Sequence, residues 1–328
     1  MTMMRAIEYR GAGGPEVLAE TERPIPVPGP GEVLIKVAAF GLNRADVQQR
    51  RGVYPPPPGA SDIPGLEVSG TVEALGEGAA GVEVGQRVCA LLAGGGYAQY
   101  VAVPAGLVLE VPETVDLLDA AGFMEVACTV VSNLFLEAGL ADGDTVLLHG
   151  GAGGIGSMAI QLAAAAGARV LVTASSEEKI AHCLALGAAA GINYREEDFA
   201  ERTGELTDGA GADVILDVVG AKYLESNVRA LAQDGTLVVI GLQGGAKAEL
   251  NLGALMAKRA RVVGTTLRAR PLGQKTEIVA AVKEHALPML ADGRLDLSID
   301  RRFSFTEARS AHEYFDSGNH TGKIIVKI

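Results

Sequence analysis

The sequence predicts an α/β protein that combines a doubly wound parallel sheet with a mostly antiparallel β domain. Roughly the first 115 residues hold short alternating segments separated by Gly and Pro clusters, at the spacing of β proteins. Further along, apolar strands such as DTVLLHG, ARVLVTA and ADVILDVVG alternate with helical stretches, as a parallel sheet requires. At 328 residues the chain exceeds what one hydrophobic core usually supports, so about two domains are expected.

These changes of pattern set the predicted domain boundaries. Residues 1–122 form the β-rich domain, and residues 123–266 form the doubly wound domain. The apolar helix DAAGFMEVACTVVSNLFLEAG leads into the second domain and ends at Gly139, which suits a helix C-cap. Residues 267–328 lose the alternation, contain a helix around 275–291 and the terminal strand GKIIVKI, and are expected to return to the first domain.

Composition narrows the cellular setting and the partners. Apolar residues make up 48% of the chain, yet no uncharged apolar run reaches the roughly 18 residues that span a bilayer. The start, MTMMRAIEYR, lacks the features of a signal peptide, and the three scattered cysteines suit a reducing compartment. A net charge of −12 without a basic cluster disfavours nucleic acid. We therefore expect a cytoplasmic protein with neither a membrane nor a nucleic-acid partner.

The stretch LLHGGAGGIG carries the strongest motif of the chain. Its G-x-G-x-x-G spacing falls on Gly151, Gly153 and Gly156, directly after a strand and directly before the helix SMAIQLAAAAG. Missing side chains let a pyrophosphate lie against backbone N–H groups at the helix N-terminus. The alternative is a glycine-rich turn that only lets strand and helix pack closely. The predicted dinucleotide contacts are Gly151, Ala152, Gly153, Gly154, Ile155 and Gly156.

The next strand ends in VLVTASSEEK, which indicates the type of dinucleotide. An Asp or Glu here would bind a free ribose 2′-hydroxyl, whereas Ser175, Ser176 and Lys179 would bind a 2′-phosphate, so NADP(H) is favoured over NAD(H). The neighbouring glutamates at 177 and 178 keep the other cofactor open, and the serines also suit an N-cap of the following helix. Tyr194 is expected beside the adenine, with a core tyrosine as the alternative.

Several collinear motifs resemble a known family over essentially the whole chain. The β-rich start, the stretch PGLEVSGTVEALGEGAAGVEVGQRV and the glycine turn resemble the medium-chain dehydrogenase/reductase superfamily. LNRADVQQRRGVYPPPPGAS, GGGYAQYVAVP, LGAAAGINY and GKIIVKI look like the zeta-crystallin-like, NADPH-dependent quinone oxidoreductases. The resemblance implies a Rossmann domain inserted in a GroES-like domain, NADPH:quinone oxidoreductase activity, and a homodimer that joins sheet edges near RVVGTTL.

The zinc-dependent alcohol dehydrogenases of that superfamily take catalytic ligands from G-x-C-G-T-D and G-H-E. The corresponding stretches here are GLNRAD and GLEVSG, so Asn43 occupies the cysteine position and Leu66 the histidine position. The third position falls near Glu125, and one carboxylate without those partners cannot hold catalytic zinc. We therefore expect no metal, and an acceptor that delocalises the incoming charge by itself: a quinone or a conjugated enone.

Three residues are candidates for catalysis. Asn43 and Tyr54 are expected to donate hydrogen bonds to a developing oxyanion, and Thr129 follows from the resemblance, since this helix faces the nicotinamide in that family. The alternatives are an asparagine that satisfies loop backbone and a tyrosine that packs on prolines. Asp46 is expected to pair with an arginine or to cap a helix, and Glu125, near a helix start, favours a structural role over catalysis.

The resemblance also extends the expected cofactor contacts. They are Gly220, Gly241, Leu242, Thr266, Leu267, Arg268 and Lys323. The leading interpretation is an NADPH-dependent quinone oxidoreductase that works without zinc. Two alternatives stay open: an NADPH-dependent reductase of α,β-unsaturated ketones or thioesters, and an NADPH-binding structural or regulatory protein with little turnover.

Overall fold

A computed structural model describes residues 2–328 of the chain. It separates into two compact units, Met1–Cys128 with Leu267–Ile328, and Thr129–Thr266. We refer to these as the first and the second unit. The boundary expected at 122/123 is found at 128/129, inside a helix, while the boundary at 266/267 lies where the sequence pattern changes.

The first unit is built around sheets. Its elements before the second unit are β1 (Met3–Tyr9), β2 (Leu18–Pro24), β3 (Glu32–Gly41), α1 (Arg44–Arg50), β4 (Glu67–Leu75), β5 (Arg87–Leu91), β6 (Tyr100–Pro104), β7 (Val108–Glu110) and α2 (Met124–Val130).

The second unit alternates strands and helices. Its elements are β8 (Thr145–His149), α3 (Gly154–Ala165), β9 (Arg169–Ala174), α4 (Glu177–Ala185), β10 (Ala190–Asn193), α5 (Phe199–Leu206), β11 (Ala212–Asp217), α6 (Leu224–Ala230), β12 (Leu231–Val239), α7 (Leu252–Lys258) and β13 (Arg261–Gly264). The chain then returns to the first unit with α8 (Leu272–His285), α9 (Leu287–Ala291), β14 (Ile299–Ser304), α10 (Ala308–Ser317) and β15 (Lys323–Lys327).

The main sheet of the first unit has the order β14-β15-β3-β4-β5-β7, with β6 also paired to β3. All of its pairs are antiparallel except β14 with β15. Strand β3 is central because its sequence, EVLIKVAAFG, is buried over most of its length and pairs with three neighbours. The C-terminal strand β15 lies directly beside it, with Val326 opposite Phe40. The mostly antiparallel GroES-like domain is confirmed.

The sheet of the second unit has the order β10-β9-β8-β11-β12-β13, and every pair is parallel. The order reverses beside β8, so it is the doubly wound 3-2-1-4-5-6 arrangement of a Rossmann fold, as predicted. Both faces are covered by helices, which explains why the central strands carry continuous apolar runs. Leu147, Leu171, Ile215 and Leu237 form the core of this sheet with almost no exposed surface.

One helical stretch, Asp119–Glu137, is the only one in residues 2–328 that is long and apolar enough to cross a membrane. Its apolar window is 78% buried inside the protein, as in a core helix. The stretch begins as a 3-10 turn, continues as α2 and ends as a π-helical turn, Val131–Glu137. Gly139 follows with a φ of +70°, so the chain reverses where the sequence predicts. The π-turn has no counterpart in the predicted helix.

Candidate functional site

A buried ion pair lies at the centre of the first unit. Lys323 at the start of β15 donates from Nζ to Glu67 Oε1 of β4 at 2.5 Å, and the two side chains are 3% and 0% exposed. The ammonium also donates to Asn43 Oδ1 at 2.8 Å and to the Leu42 carbonyl at 3.0 Å. Its three N–H bonds are therefore all used within the protein. The buried Glu67 carboxylate needs this counter-ion, and the cofactor contact that the resemblance implies for Lys323 stays a prediction.

Asn43 joins the ion pair to the start of α1. Its side-chain nitrogen donates to Glu67 Oε1 at 2.9 Å, and its backbone N–H donates to Asp46 Oδ2 at 2.9 Å. The second contact, from the Asn43 N–H to the Asp46 carboxylate, belongs to a capping box, which fixes where α1 begins. Asp46 thus has the capping role expected of it. The Asn43 amide is held by neighbouring side chains, and its contact with a substrate stays a prediction.

Glu67 was not singled out by sequence reasoning, although it lies inside the quoted stretch GLEVSG. Its second oxygen, Oε2, accepts from the backbone N–H of Glu125 at 2.9 Å, so one carboxylate ties α2 to β4. Gly41 lies so close that an added Cβ would collide with Glu67 Oε1. The sequence gives little signal for Glu67, because β4, EVSGTVEAL, also contains Ser69, Thr71 and a second glutamate, Glu73.

We refer to the carboxyl groups of Glu67, Asp46 and Glu125 as the carboxyl cluster. Two of them, those of Glu125 and Asp46, have an oxygen without a hydrogen-bond partner. These two oxygens, Glu125 Oε2 and Asp46 Oδ1, are buried. Burial raises the pKa of Glu125 to about 8, and the Glu67 carboxylate acts in the same direction. Burial likewise raises the pKa of Asp46 to about 6, even though the Asn43 N–H stabilises its charged form. The cluster therefore holds more carboxyl groups than cations can pair.

Tyr54 and Arg268 meet beside this cluster. The Arg268 guanidinium carbon lies 5.5 Å from the centre of the Tyr54 ring. Its Nε donates to the Ala93 carbonyl and its Nη2 to Gln49 Oε1, both at 2.8 Å, while Nη1 is buried without a hydrogen-bond partner. Burial, and then the charge of Glu125, raises the pKa of Tyr54, so this phenol stays protonated at neutral pH.

Arg268 also contributes to a cavity of about 610 Å³ within the first unit. The walls come mainly from the proline-rich loop 57–61, from residues 91–95, from β6 and from residues 268–272. Most of this lining is apolar, and Arg23, Arg270 and Lys275 add three further cations to Arg268. Asn43, Tyr54 and Glu125 are not part of these walls. The cavity is therefore distinct from the carboxyl cluster but shares Arg268 with the Tyr54 contact.

In the second unit the three motif glycines have different surroundings. A Cβ on Gly156 would lie within 2.5 Å of the Gly150 carbonyl oxygen, and one on Gly151 would lie 2.7 Å from the Val172 Cβ. A Cβ on Gly153, the N-cap of α3, would meet nothing nearer than 3.5 Å. Gly151 and Gly156 thus serve the close packing of strand and helix, whereas Gly153 leaves open backbone at the helix N-terminus, where an anion can approach.

Of the two roles weighed for the residues after β9, the structure shows the helix cap, and phosphate binding stays a prediction. Ser176 caps α4 by accepting from the Lys179 N–H at 3.4 Å, which is the expected N-cap alternative and leaves phosphate binding possible. Ser175 and Lys179 are half-buried, and the glutamates at 177 and 178 are exposed. Tyr194 is 41% exposed, so the alternative of a core tyrosine is wrong.

A buried network supports the ends of three neighbouring strands. His149 contacts Thr173 Oγ1 at 3.0 Å and Asn227 Oδ1 at 2.7 Å. Asn227 in turn donates to Asp217 Oδ2, which also accepts from the Gly220 N–H at 3.0 Å. Burial lowers the pKa of His149 to about 4, so this ring is neutral. The network fixes the loop at Gly220, a role that sequence reasoning did not assign to His149.

The remaining predicted cofactor residues fall into two groups. Gly220 and Gly241 are brought together, since a Cβ on Gly220 would lie 3.0 Å from the Gly241 carbonyl oxygen, and the following Leu242 is 53% exposed. Thr129 is buried, and its carbonyl accepts from the Asn133 side chain at 2.7 Å. Thr266 ends the second unit, while Leu267 is buried in the first.

Parts of both units match known protein families, and the whole chain is similar to known proteins. Residues 29–113 match the alcohol dehydrogenase GroES-like domain, and residues 154–284 match a family described as zinc-binding dehydrogenase. The quinone oxidoreductase of Pseudomonas aeruginosa is 33% identical over 99% of both chains. The crystal structure of Escherichia coli quinone oxidoreductase complexed with NADPH is 30% identical, with a TM-score of 0.89 over 99% of this chain and 100% of that one.

A second kind of relative is much larger. One polypeptide of the phenolphthiocerol/phthiocerol polyketide synthase of Mycobacterium tuberculosis is 35% identical over 90% of this chain. The chain spans only 14% of that polypeptide's length. The same fold thus occurs as one segment of a large synthase.

Removing the central cation should destabilise the first unit. We expect Lys323→Met to lower the free energy of unfolding by about 3 kcal/mol or more, because it leaves the Glu67 carboxylate buried and unpaired. Urea denaturation followed by circular dichroism measures this, with the exposed Lys327→Met as the matched control. Equal stability of the two variants would contradict a central role for the ion pair.

The glycine turn allows a second test. Gly156→Ala should lower the free energy of unfolding by about 1–3 kcal/mol, since its Cβ would collide with backbone that cannot move easily. Gly153→Ala should stay close to the unaltered protein in the same thermal or urea melt, because the space around its Cβ is open. If the two variants lost equal stability, the difference assigned to the two positions would be wrong.

Proposed function

The chain belongs to the quinone oxidoreductase family of the medium-chain dehydrogenases/reductases, and we propose that it transfers hydride from NADPH to a quinone without a catalytic metal ion. The observation that carries this proposal is whole-length similarity, in sequence and in fold, to a quinone oxidoreductase with NADPH bound. The open backbone at Gly153 supports a pyrophosphate site in the second unit.

The choice of NADPH over NADH rests on local chemistry after β9. Ser175, Ser176 and Lys179 offer two hydroxyls and an ammonium where a free ribose would favour a carboxylate. Ser176 caps α4 by accepting a hydrogen bond from a backbone N–H. A phosphate bound here would therefore lie at the N-terminus of α4, which carries the positive end of the helix dipole. Tyr194, exposed at the end of β10, supports a position beside the adenine.

The residues at the former zinc position do not fit a metal. Asn43 and Glu67 face the Lys323 ammonium, which supplies the positive charge and repels a second cation. Across residues 2–328 no group of three His, Cys, Asp or Glu side chains is arranged to hold an ion. We therefore propose chemistry that needs no Lewis acid, which suits a quinone because the charge spreads over its ring.

Within this proposal, the residues of the first unit have separate tasks. Tyr54 donates a hydrogen bond to the acceptor, since its phenol is protonated at neutral pH. Asn43 positions Glu67 and Lys323 through its side-chain amide. Thr129 is proposed on the nicotinamide side. The three buried free cysteines, Cys89, Cys128 and Cys183, support a cytoplasmic location.

One observation favours a second candidate function. The match to a segment of a polyketide synthase is as close in identity as the matches to quinone oxidoreductases. Unsaturated acyl thioesters are conjugated acceptors, and hydride addition to them gives a delocalised enolate. Reduction of an α,β-unsaturated ketone or thioester is therefore the competing activity.

Steady-state oxidation of NADPH tests the proposal directly. We expect turnover with a panel of quinones that exceeds turnover with enones, prefers NADPH to NADH and survives a metal chelator. Lys179→Ala should raise the KM for NADPH about tenfold and leave NADH unchanged, because a charge-assisted contact to the 2′-phosphate is lost. The exposed Lys283→Ala in the first unit is the matched control.

Each other outcome has a definite meaning. Faster turnover of enones would replace the quinone by the second candidate. NADH preference would overturn the cofactor assignment, and inhibition by the chelator would overturn the metal-free chemistry. Tight NADPH binding with no turnover on either class of acceptor would favour a structural or regulatory protein.

We also propose a homodimer that forms along the edge of the second unit's sheet. Strand β13 is the last strand of that sheet, and its Val262 is 36% exposed. The preceding helix α7 exposes Leu252 at 63% and Met256 at 76%, which adds apolar surface next to an unpaired strand edge.

Light scattering after size exclusion measures the state of assembly. Val262→Lys should convert the dimer to a monomer, because it places a charge on the paired edge. The exposed Val84→Lys in the first unit is the control and should remain dimeric. A monomeric unaltered protein, or a dimeric Val262→Lys variant, would refute this interface.

A further inference from the structure

We propose that Glu125 is a neutral carboxylic acid in the resting protein and that it gives its proton to the oxyanion of the reduced acceptor. The inference rests on the proposed function for its acceptor and on the carboxyl cluster of the first unit for its geometry. It reverses the expectation from sequence, which gave Glu125 a structural role.

The first step of the argument is the position of the side chain. Glu125 is the second residue of α2, and its backbone N–H is held by Glu67 Oε2 at 2.9 Å. This contact holds the start of α2 beside the buried ion pair, and the Glu125 side chain is half-buried, with its Oε2 shielded from solvent. Because this backbone contact belongs to Glu67, substitution of the Glu125 side chain leaves it in place.

The second step is the charge balance around Glu125. The cation at the centre, Lys323, is saturated by Glu67, Asn43 and the Leu42 carbonyl. Two carboxyl groups face Glu125, from Glu67 on β4 and Asp46 on α1, and both disfavour another negative charge.

Two other cations are nearby, but neither pairs with Glu125. Arg268 uses Nε and Nη2 on Ala93 and Gln49, and Lys275 of α8 donates to the Arg268 carbonyl at 3.5 Å. They act on Glu125 only through space. An ionised Glu125 would therefore be a buried charge without a direct partner, which proteins avoid by keeping the proton.

The third step is the unfilled hydrogen bond. Glu125 Oε2 is buried and has no partner in the described part of the chain. Native proteins leave few buried polar atoms in this condition, and such atoms often serve a ligand. Arg268 Nη1, which lies on the guanidinium next to Tyr54, is in the same condition. Both residues thus keep one polar atom available for a ligand, and the electrostatic interaction between Arg268 and Glu125 indicates that they lie near each other.

The fourth step compares Glu125 with the other possible proton donors. Burial and the Glu125 charge raise the pKa of Tyr54, so the phenol donates a hydrogen bond but releases its proton reluctantly. The Cys128 thiol, also buried, has its pKa raised well above the usual range. Asp46, whose pKa is raised only to about 6, has lost most of its proton at neutral pH, whereas Glu125, with a pKa of about 8, still holds one that it can transfer.

The reaction then balances as follows. The quinone accepts a hydride, NADPH is oxidised to NADP⁺, and one oxygen of the former quinone is left as a phenolate. The O–H bond of Glu125 breaks and a new O–H bond forms on that phenolate, which gives the hydroquinone. The Glu125 carboxylate regains a proton from solvent before the next turnover. No other oxidant or reductant is required.

Enzyme kinetics with Glu125→Gln give the first test. The variant keeps the shape and neutrality of the resting side chain but cannot transfer a proton, so we expect kcat/KM for a quinone to fall about 100-fold. The unaltered protein should lose activity as the pH rises through about 8, where Glu125 ionises, and the variant should lack this alkaline limb. The exposed Glu113→Gln should match the unaltered protein in both respects.

The identity of the acceptor sharpens this test. Electron-poor quinones give more acidic hydroquinones, whose oxyanions need a proton less. The loss of activity in Glu125→Gln should therefore shrink along a series of increasingly electron-poor quinones, which a merely structural defect would not produce.

A measurement on the protein alone separates this inference from the proposed function. Infrared difference spectra between about pH 6 and about pH 10 should show a protonated carboxyl band that Glu125→Gln removes. The raised pKa also means that folding favours the neutral acid, so its contribution to stability is present at low pH and has been lost once the pH has risen through about 8. Glu125→Gln should thus be more stable than the unaltered protein above that pH.

The outcomes are distinct. No quinone turnover, together with the expected infrared band, would overturn the function and leave the neutral acid established. Normal turnover with no such band, or a Glu125→Gln variant that keeps full activity and the alkaline limb, would overturn the role of Glu125.

Discussion

The ion pair between Lys323 and Glu67 is the constraint on which the first unit depends. It joins Lys323, at the start of β15, to Glu67, at the start of β4, and β3 lies between these two strands in the sheet. Two charges buried this deeply are stable only when their remaining donors and acceptors are satisfied. Asn43, the Leu42 carbonyl and the Glu125 N–H provide these contacts, so satisfying the pair also fixes where α1 and α2 begin.

The same pair determines the chemistry available around it. The single ammonium of Lys323 is paired with the Glu67 carboxylate, so the carboxyl groups of Asp46 and Glu125 have no ion-pair partner there and their pKa values are raised. In a metal-dependent relative, a divalent ion at this place would draw charge from its ligands and acidify bound water. Here a fixed ammonium occupies this place, and the proposed chemistry relies on hydrogen-bond donors and on the proton of one neutral acid, Glu125.

Local patterns in the sequence were sufficient to predict much of this architecture. Alternation of apolar strands with helices predicted the parallel sheet of the second unit, and the spacing of three glycines placed the turn between β8 and α3. The comparison of GLNRAD and GLEVSG with zinc ligands brought Asn43 and Glu125 to attention. These signals are local, since each is carried by a short stretch of chain.

The partners within the carboxyl cluster could not be predicted in this way. Glu67 lies 24 residues from Asn43, and Lys323 lies 256 residues from Glu67, so no periodicity links them. The network of His149, Asn227 and Asp217 is similar, because its members meet only when β8, β11 and α6 are assembled. The π-turn after α2 could not be predicted for another reason, because its apolar pattern is that of an ordinary α-helix.

The place of β15 in the first unit has a consequence for biosynthesis. The second unit is one continuous stretch, Thr129–Thr266, so it can assemble as soon as that stretch has left the ribosome. The first unit must wait for residues 323–327, and until they arrive the edge of β3 is bare and Glu67 has no ammonium. Between the synthesis of β3 and that of β15, this edge of the first unit is therefore an unpaired strand within a growing chain, the kind of surface that favours wrong pairing.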